Sequence, residues 1–526
     1  MPNNLYIFAV GGTGARVLRS FTMLLASGQK KLKGWDIYPV ILDYDNTNGD
    51  TEIATRCIEK YNEIHNIVWK KDDSDKNHFD GFFKSNLCPL QSSSNNSSFQ
   101  LVYAPKGNNT YKEYIGYDQL GKDTVNSRIL KKNIDTNATK MLLESLYNTD
   151  PVSDDAEMNL HMDVGFKGNP NIGSVVFHDI DNECDEFKTF LKQVSPNDRV
   201  IVIGSLYGGT GSSGIPEIIR KIRKYQKGSI PIAAVLMMPY FAPKQKDGGT
   251  IRSEIFNSKT KAAINYYIDS GMIDVSSLGK YEGGMIDYIY FIGDSELTEL
   301  PYCDGGPCQK NPANIVEFIS ALAIIHFSQC ENDDKGSYKF GVNPCIIGDI
   351  NSKKELLCKD LTGSEFVRDA MTRLVQFTIA LKYYMFYLQK GGFGKYINRP
   401  PSFYTPYFGD TNSDMKKLMK GLSNFWDAYK CWLDQLSNKN KKPEDGNKHS
   451  LTLFNTDDNM VVMAGGKEIK IDKDEISTII NAKIKEFETG GMKDLDKPKE
   501  FVFLYGLYMA SIDKKVYSKI LNAALS

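Results

Sequence analysis

The chain has 526 residues, long enough for two or three domains with substantial cores. Its 64 Lys and Arg nearly balance 65 Asp and Glu, so nothing calls for nucleic acid or an acidic membrane as partner. The longest apolar stretch, Ile315 to Phe327, is broken by Glu317, Ser320 and His326, and Met1-Pro-Asn-Asn lacks a secretory pattern, so a cytoplasmic protein without a membrane span is expected.

Residues 5–45 read as a strand (Leu5 to Val10), a glycine turn (Gly11-Gly12-Thr13-Gly14), a helix (Arg16 to Ser27) and a strand (Ile37 to Leu42). This βαβ opening is typical of a doubly wound parallel sheet. At such a turn, backbone N–H groups and the positive helix end can hold phosphate. A dinucleotide fingerprint would run Gly12-Thr-Gly14-Ala-Arg-Val17 and lacks its third small residue. The ribose acid of a dehydrogenase is also misplaced, since Asp36 precedes the second strand and Asp43 follows it late.

Asp43-Tyr-Asp45-Asn46-Thr47-Asn48 ends that strand, placed to meet a ribose, a metal-bound water or a phosphate, or simply to cap the next helix. From about 50 to 160 the pattern is irregular and polar, including Gln91-Ser-Ser-Ser-Asn-Asn-Ser-Ser98. It reads as an insertion with helices near 52–66 and 135–147, serving as a lid or as a surface for a protein partner. Next comes Gly165-Phe-Lys167-Gly168-Asn169-Pro170-Asn171-Ile-Gly173, where glycines around an Asn-Pro turn free amides for an anion and Lys167 adds charge.

The strand Val200 to Ile203 leads into a second cluster, Gly204-Ser-Leu-Tyr-Gly208-Gly209-Thr210-Gly211-Ser212-Ser213-Gly214. A Walker loop would need Lys and Ser/Thr after its last glycine, and this one has neither in place. Two glycine turns suggest one polyphosphate gripped from two sides. A helix through Pro216 to Lys227, a strand from Ile230 to Met238, a Gly/Pro/Lys-rich loop to Glu254, a helix from Ile255 to Ser270 and a strand from Tyr288 to Ile292 follow. Cys303 and Cys308, at C-x4-C, read as free thiols like the other cysteines of this odd set of nine. From Asn311 to Phe327 the chain reads as a strong helix, apolar nearly all round, with Asn311 as cap, Pro312 at the first position and His326 as a core residue. Helices over Ser364–Gln389 and near Ser413–Leu436, and closing elements around Phe501–Met509 and Val516–Ala524, are expected beyond it.

Ser205-Leu-Tyr-Gly-Gly-Thr-Gly-Ser-Ser-Gly214 resembles the S-L-G-G-G-T-G-S-G signature of the tubulin/FtsZ superfamily, with Tyr207 in place of the first glycine of the triplet. The 165–173 segment is similar to the G-A-G-A-N-P-x-V-G loop of FtsZ, which contacts the terminal phosphate; Lys167 departs from it and would replace part of a metal's charge. The resemblance implies an α/β fold: a doubly wound, parallel-sheet GTP-binding domain (1–310), a long central helix (311–330) and a second α+β domain (331–526). It implies GTP or GDP with Mg²⁺, held by Gly11, Gly12, Thr13, Gly14, Asp45, Asn46, Lys167, Gly168, Asn169, Gly208, Gly209, Thr210, Gly211 and Ser212. Glu254, with Arg252 next, matches the ribose acid, and Asp294 stands nearest the base-contacting position. Asn314 matches the guanine-reading Asn, unless Asn311 merely caps and Asn314 is solvated. In the superfamily, carboxylates of the next monomer position the attacking water; Asp360 ranks first for that role, then Glu365 and Asp333. The expectation is a GTPase in a head-to-tail filament of its own copies. The alternative is a largely monomeric switch, slow or silent in hydrolysis, that engages a partner through the insertion.

Overall fold

The computed structural model describes residues 3–69, 79–94, 97–102, 110–120, 136–150, 157–226, 230–246, 251–275, 281–330, 336–339, 355–357, 365–389, 401–403, 407, 413–439, 449–457, 459–464, 467–489 and 498–525. β1 (Asn3–Val10) is buried from Leu5 onward, as suits a parallel strand covered on both faces. It passes directly into α1 (Gly11–Ala26), which is buried throughout. The glycines are therefore the first turn of the helix, where a turn before a helix at Arg16 was expected. β2 (Trp35–Asp43) returns parallel, with Leu5 beside Ile37 and Val10 beside Leu42. α2 (Gly49–Val68) follows, and β3 (Asn86–Leu87) and β4 (Gln100–Val102) both pair with β2.

Along the chain come α3 (Thr136–Leu146), α4 (Pro170–Phe177), β5 (Arg199–Ser205), α5 (Gly209–Gln226), β6 (Ile232–Met237), α6 (Phe256–Asp269), β7 (Tyr288–Ile292), α7 (Ile315–Phe327) and β8 (Gly336–Lys339). α8 (Glu365–Tyr383), α9 (Ser413–Leu436), α10 (Lys473–Thr489), α11 (Lys499–Ser511) and α12 (Lys514–Leu525) complete the helices used below. The main sheet runs β8-β7-β6-β5-β1-β2-β3, with β4 also on β2, and every pairing is parallel. The α/β class is as expected. The order reverses between β1 and β5, and open parallel sheets bind ligands outside the carboxyl ends of their strands at such a point.

Alternation along β1 feeds two cores. Tyr6, Phe8 and Val10 join the side chains of α4 and α5 on one face. Leu5, Ile7 and Ala9 join α1, α2, α7 and the helices from α8 to α12 on the other. That second core runs across two expected boundaries. α2 packs on α1 and α9, and β3 and β4 extend the sheet, so the segment after residue 50 packs into the main body at its start. β8 lies beyond residue 331 yet pairs with β7, and the helices after it share the core of the first half. Two small strand pairs, Glu355–Leu357 with Ser450–Thr452 and Val461–Ala464 with Lys467–Lys470, lie in the C-terminal part. Among the described residues, no helix is long and apolar enough to cross a membrane.

Candidate nucleotide-binding cleft

At the reversal of strand order the N-termini of α1 and α5 open on one cleft, with about 1020 Å³ of atom-free space, part of it open to solvent. Gly11, Gly12 and Thr13 of α1, residues 164–168, and Gly208, Gly209, Thr210 and Gly211 at the start of α5 form one wall. Two glycines show why bulk is excluded. Gly11 takes a left-handed φ of +73°, and a Cβ on Gly209 would lie 2.9 Å from the Phe166 Cβ and 3.1 Å from the Gly168 amide nitrogen. The three segments therefore touch, and their amides crowd a single space. The wall also carries two half-buried lysines, Lys167 and Lys259.

The facing wall is built of side chains. Asp45 is fully engaged: Oδ1 accepts from the Thr47 amide at 3.0 Å and hydroxyl at 2.8 Å, and Oδ2 accepts from the Gly306 amide at 2.6 Å. It thereby fastens the 303–308 turn, whose two cysteines form a disulfide instead of the expected free thiols because the turn brings their Cα atoms to 6.3 Å. Asp43 is buried on the cleft and accepts from the Asp45 amide and from Asn48 Nδ2, both at 3.2 Å. Burial first, and the Asp45 charge second, push its carboxyl up to about 7. Tyr207, Phe241 and Phe256 add an apolar side, the Tyr207 and Phe256 rings lying 4.7 Å apart.

Beneath this wall lies a buried ion cluster. Arg16 reaches Asp50 at 2.5 Å, Glu317 at 2.6 Å and the Tyr240 hydroxyl at 2.7 Å, and Tyr240 donates in turn to Glu317 at 2.8 Å. Asp50 accepts from the backbone amide of Asn311 at 2.8 Å and from its side-chain amide at 3.1 Å. Asn311 thus stands on the cleft, held from below by a charged relay.

Of the residues expected at the site, Gly11, Gly12, Thr13, Asp45, Lys167, Gly168, Gly208, Gly209, Thr210 and Gly211 line the cleft. Gly14 sits behind the wall against Ala9 and Ile203, Ser212 bonds back to the Gly208 carbonyl, and Asn169 precedes α4 with its amide on the Phe166 carbonyl. Asn46 points to solvent. No family model matches the chain, and no curated protein does. Glu254 is exposed and held by the Gln245 side chain. Asp294 accepts from His449 Nδ1 at 2.6 Å, which joins the end of β7 to the C-terminal part. The cap of α7 falls on Asn314 and not on Asn311, which lines the cleft. Asn314 caps α7, accepting from the Val316 amide at 2.9 Å, while Glu317 reciprocates on the Asn314 amide at 2.9 Å. Glu365 is exposed at the start of α8, away from the cleft, and Asp360 and Asp333 lie outside the described residues.

Lys259, Gln309, Asn311, Phe241 and Phe256 are cleft residues that the sequence reading did not assign to it. The N-x-x-E spacing of Asn314 and Glu317 signals the true helix start and could have freed Asn311 for the cleft. Among the described residues no group of three or more His, Cys, Asp and Glu could hold a metal ion. A nucleotide-borne Mg²⁺ needs only one or two protein carboxylates, and buried, cleft-facing Asp43 suits that task while Asp45 is already committed to donors.

Proposed function

We propose that the chain binds GTP in the manner of the tubulin/FtsZ superfamily and completes its hydrolysis in a contact between successive copies. The meeting of two long helix N-termini with the 164–168 segment, at the point where strand order reverses, carries this reading. Amides of Gly11, Gly12, Gly209 and Thr210 would hold the phosphates. Asp43 would steady a Mg²⁺ that neutralises charge on the phosphate oxygens. Tyr207, Phe241 and Phe256 offer faces to the purine ring, and Asn311 offers both a donor and an acceptor to its edge. The acid that positions the attacking water would come from a neighbouring copy, with Asp360 first and exposed Glu365 second as its sources.

The test is turnover of GTP per molecule against protein concentration, with ATP as control and sedimentation alongside. Turnover that climbs steeply with concentration, and a GTP-dependent pellet, are the expected results. A second reading, a monomeric switch with little hydrolysis, has one observation in its favour. α3 exposes Met141, Leu142 and Leu146 at 71, 56 and 58% on a helix with no buried residue, a surface fit for another protein. GTP binding with flat or absent turnover would select it.

A further inference from the structure

Lys259 projects from the first turn of α6, a helix outside the three segments that make the glycine wall, and its ammonium donates to the Gly168 carbonyl at 2.6 Å. An ammonium has three N–H donors; this contact uses one, and no carboxylate partners it among the described residues. Its surroundings desolvate it, which draws its pKa down. Lys167, one residue before Gly168, lines the same wall with a left-handed φ of +43°, uncommon for a side chain of its type. Two half-buried cations on one wall, beside two helix N-termini, form a positive concavity; of the acids opposite, Asp45 is bonded to the 303–308 turn and to Thr47, and Asp43 to the Asp45 amide and Asn48.

We propose that Lys259 acts with Lys167 as a phosphate-binding clamp, so that polyphosphate is retained in this cleft when divalent metal is withdrawn. The inference rests on the nucleotide reading above and adds to it the source of countercharge. Lys259 has a second consequence through Gly168. An anion on its free donors would tighten the 164–168 segment against α6, making that segment respond to the length of the phosphate chain.

The experiment is calorimetric titration with GTP, GDP, GMP and inorganic tripolyphosphate, each in Mg²⁺ and in excess EDTA, on the wild type, Lys259→Gln and Lys259→Arg. The expected result is GTP binding by the wild type in EDTA, and a loss of ~10- to 100-fold in Lys259→Gln for GTP and tripolyphosphate. The loss should shrink toward GMP, and Lys259→Arg should recover most of it. An equal loss across GTP, GDP and GMP would reduce Lys259 to a brace for Gly168 and overturn the proposal, as would unchanged GTP affinity. Loss of all wild-type binding in EDTA overturns it without any substitution, should Lys259→Gln not fold. Tripolyphosphate binding without nucleotide discrimination would place the clamp on phosphate alone, keeping the proposal and removing the GTP reading. Absence of binding by nucleotides and tripolyphosphate alike, in Mg²⁺ and in EDTA, would end both.

Discussion

The two walls of the cleft are made in opposite ways. The 11–13, 164–168 and 208–211 wall is closely packed backbone with little room for added side-chain bulk. The facing wall is side chains, and its Asn311 is held through Asp50 and Arg16 to Glu317 on a different helix. The first wall is therefore vulnerable only where it is touched. The second is vulnerable from below, because a buried charge cluster tolerates loss of a partner poorly.

The largest effect should come from Arg16→Met. It strands the Asp50 and Glu317 carboxylates in the core, and urea unfolding should show a loss of ~3–5 kcal/mol; a loss below ~1 kcal/mol would break the contrast between the walls. Second is the pH dependence set by Asp43. Its folded-state pKa, about 7, lies above that of an unfolded carboxyl. Its contribution to stability is present below the ordinary carboxylate pKa and is lost as pH rises to about 7. That loss is on the order of 4 kcal/mol, and Asp43→Asn should flatten the denaturation midpoint over this window.

Third, Gly209→Ala drives a Cβ onto Phe166 and Gly168, costing ~1–3 kcal/mol and nucleotide binding together in a melt and a titration. Fourth, Asn314→Ala removes a cap worth ~1 kcal/mol and leaves GTP affinity intact, whereas Asn311→Ala weakens binding. The reverse outcome would return the base-reading role to Asn314. The smallest effect, within ~0.5 kcal/mol and with affinity unchanged, belongs to exposed Glu254→Gln.

The glycine wall was legible because strand, glycine and helix follow one another within a few residues, and local order carries the physics. Even so, the helices begin at Gly11 and Gly209 themselves, earlier than a search for good helix formers indicates. The facing wall depended on contacts across hundreds of positions. Asp50 with Asn311 and Gly306 with Asp45 are each separated by 261 residues, and no periodicity announces such pairs. Lys259 was unreadable for another reason. A lysine in the first turn of a polar-faced helix looks like any solvated surface charge until the fold places it beside Gly168. Asp294 drew attention as an acid at a strand end, yet its partner His449 is 155 residues away.

The shared core has a consequence for how the protein is made. α1, which supplies the first glycine turn of the cleft, rests on α9: Trp432 donates to the Ser20 hydroxyl at 3.1 Å across 412 positions, and Arg19 donates to Gln435 at 2.8 Å. Gln435 also accepts from the Ala313 amide at 3.0 Å, just ahead of α7. A ribosome that has already delivered all the glycine turns has not yet delivered the surface they lie on. The nascent chain must keep the apolar back of α1 covered by other means until α9 emerges, and the cleft gains its full support only then.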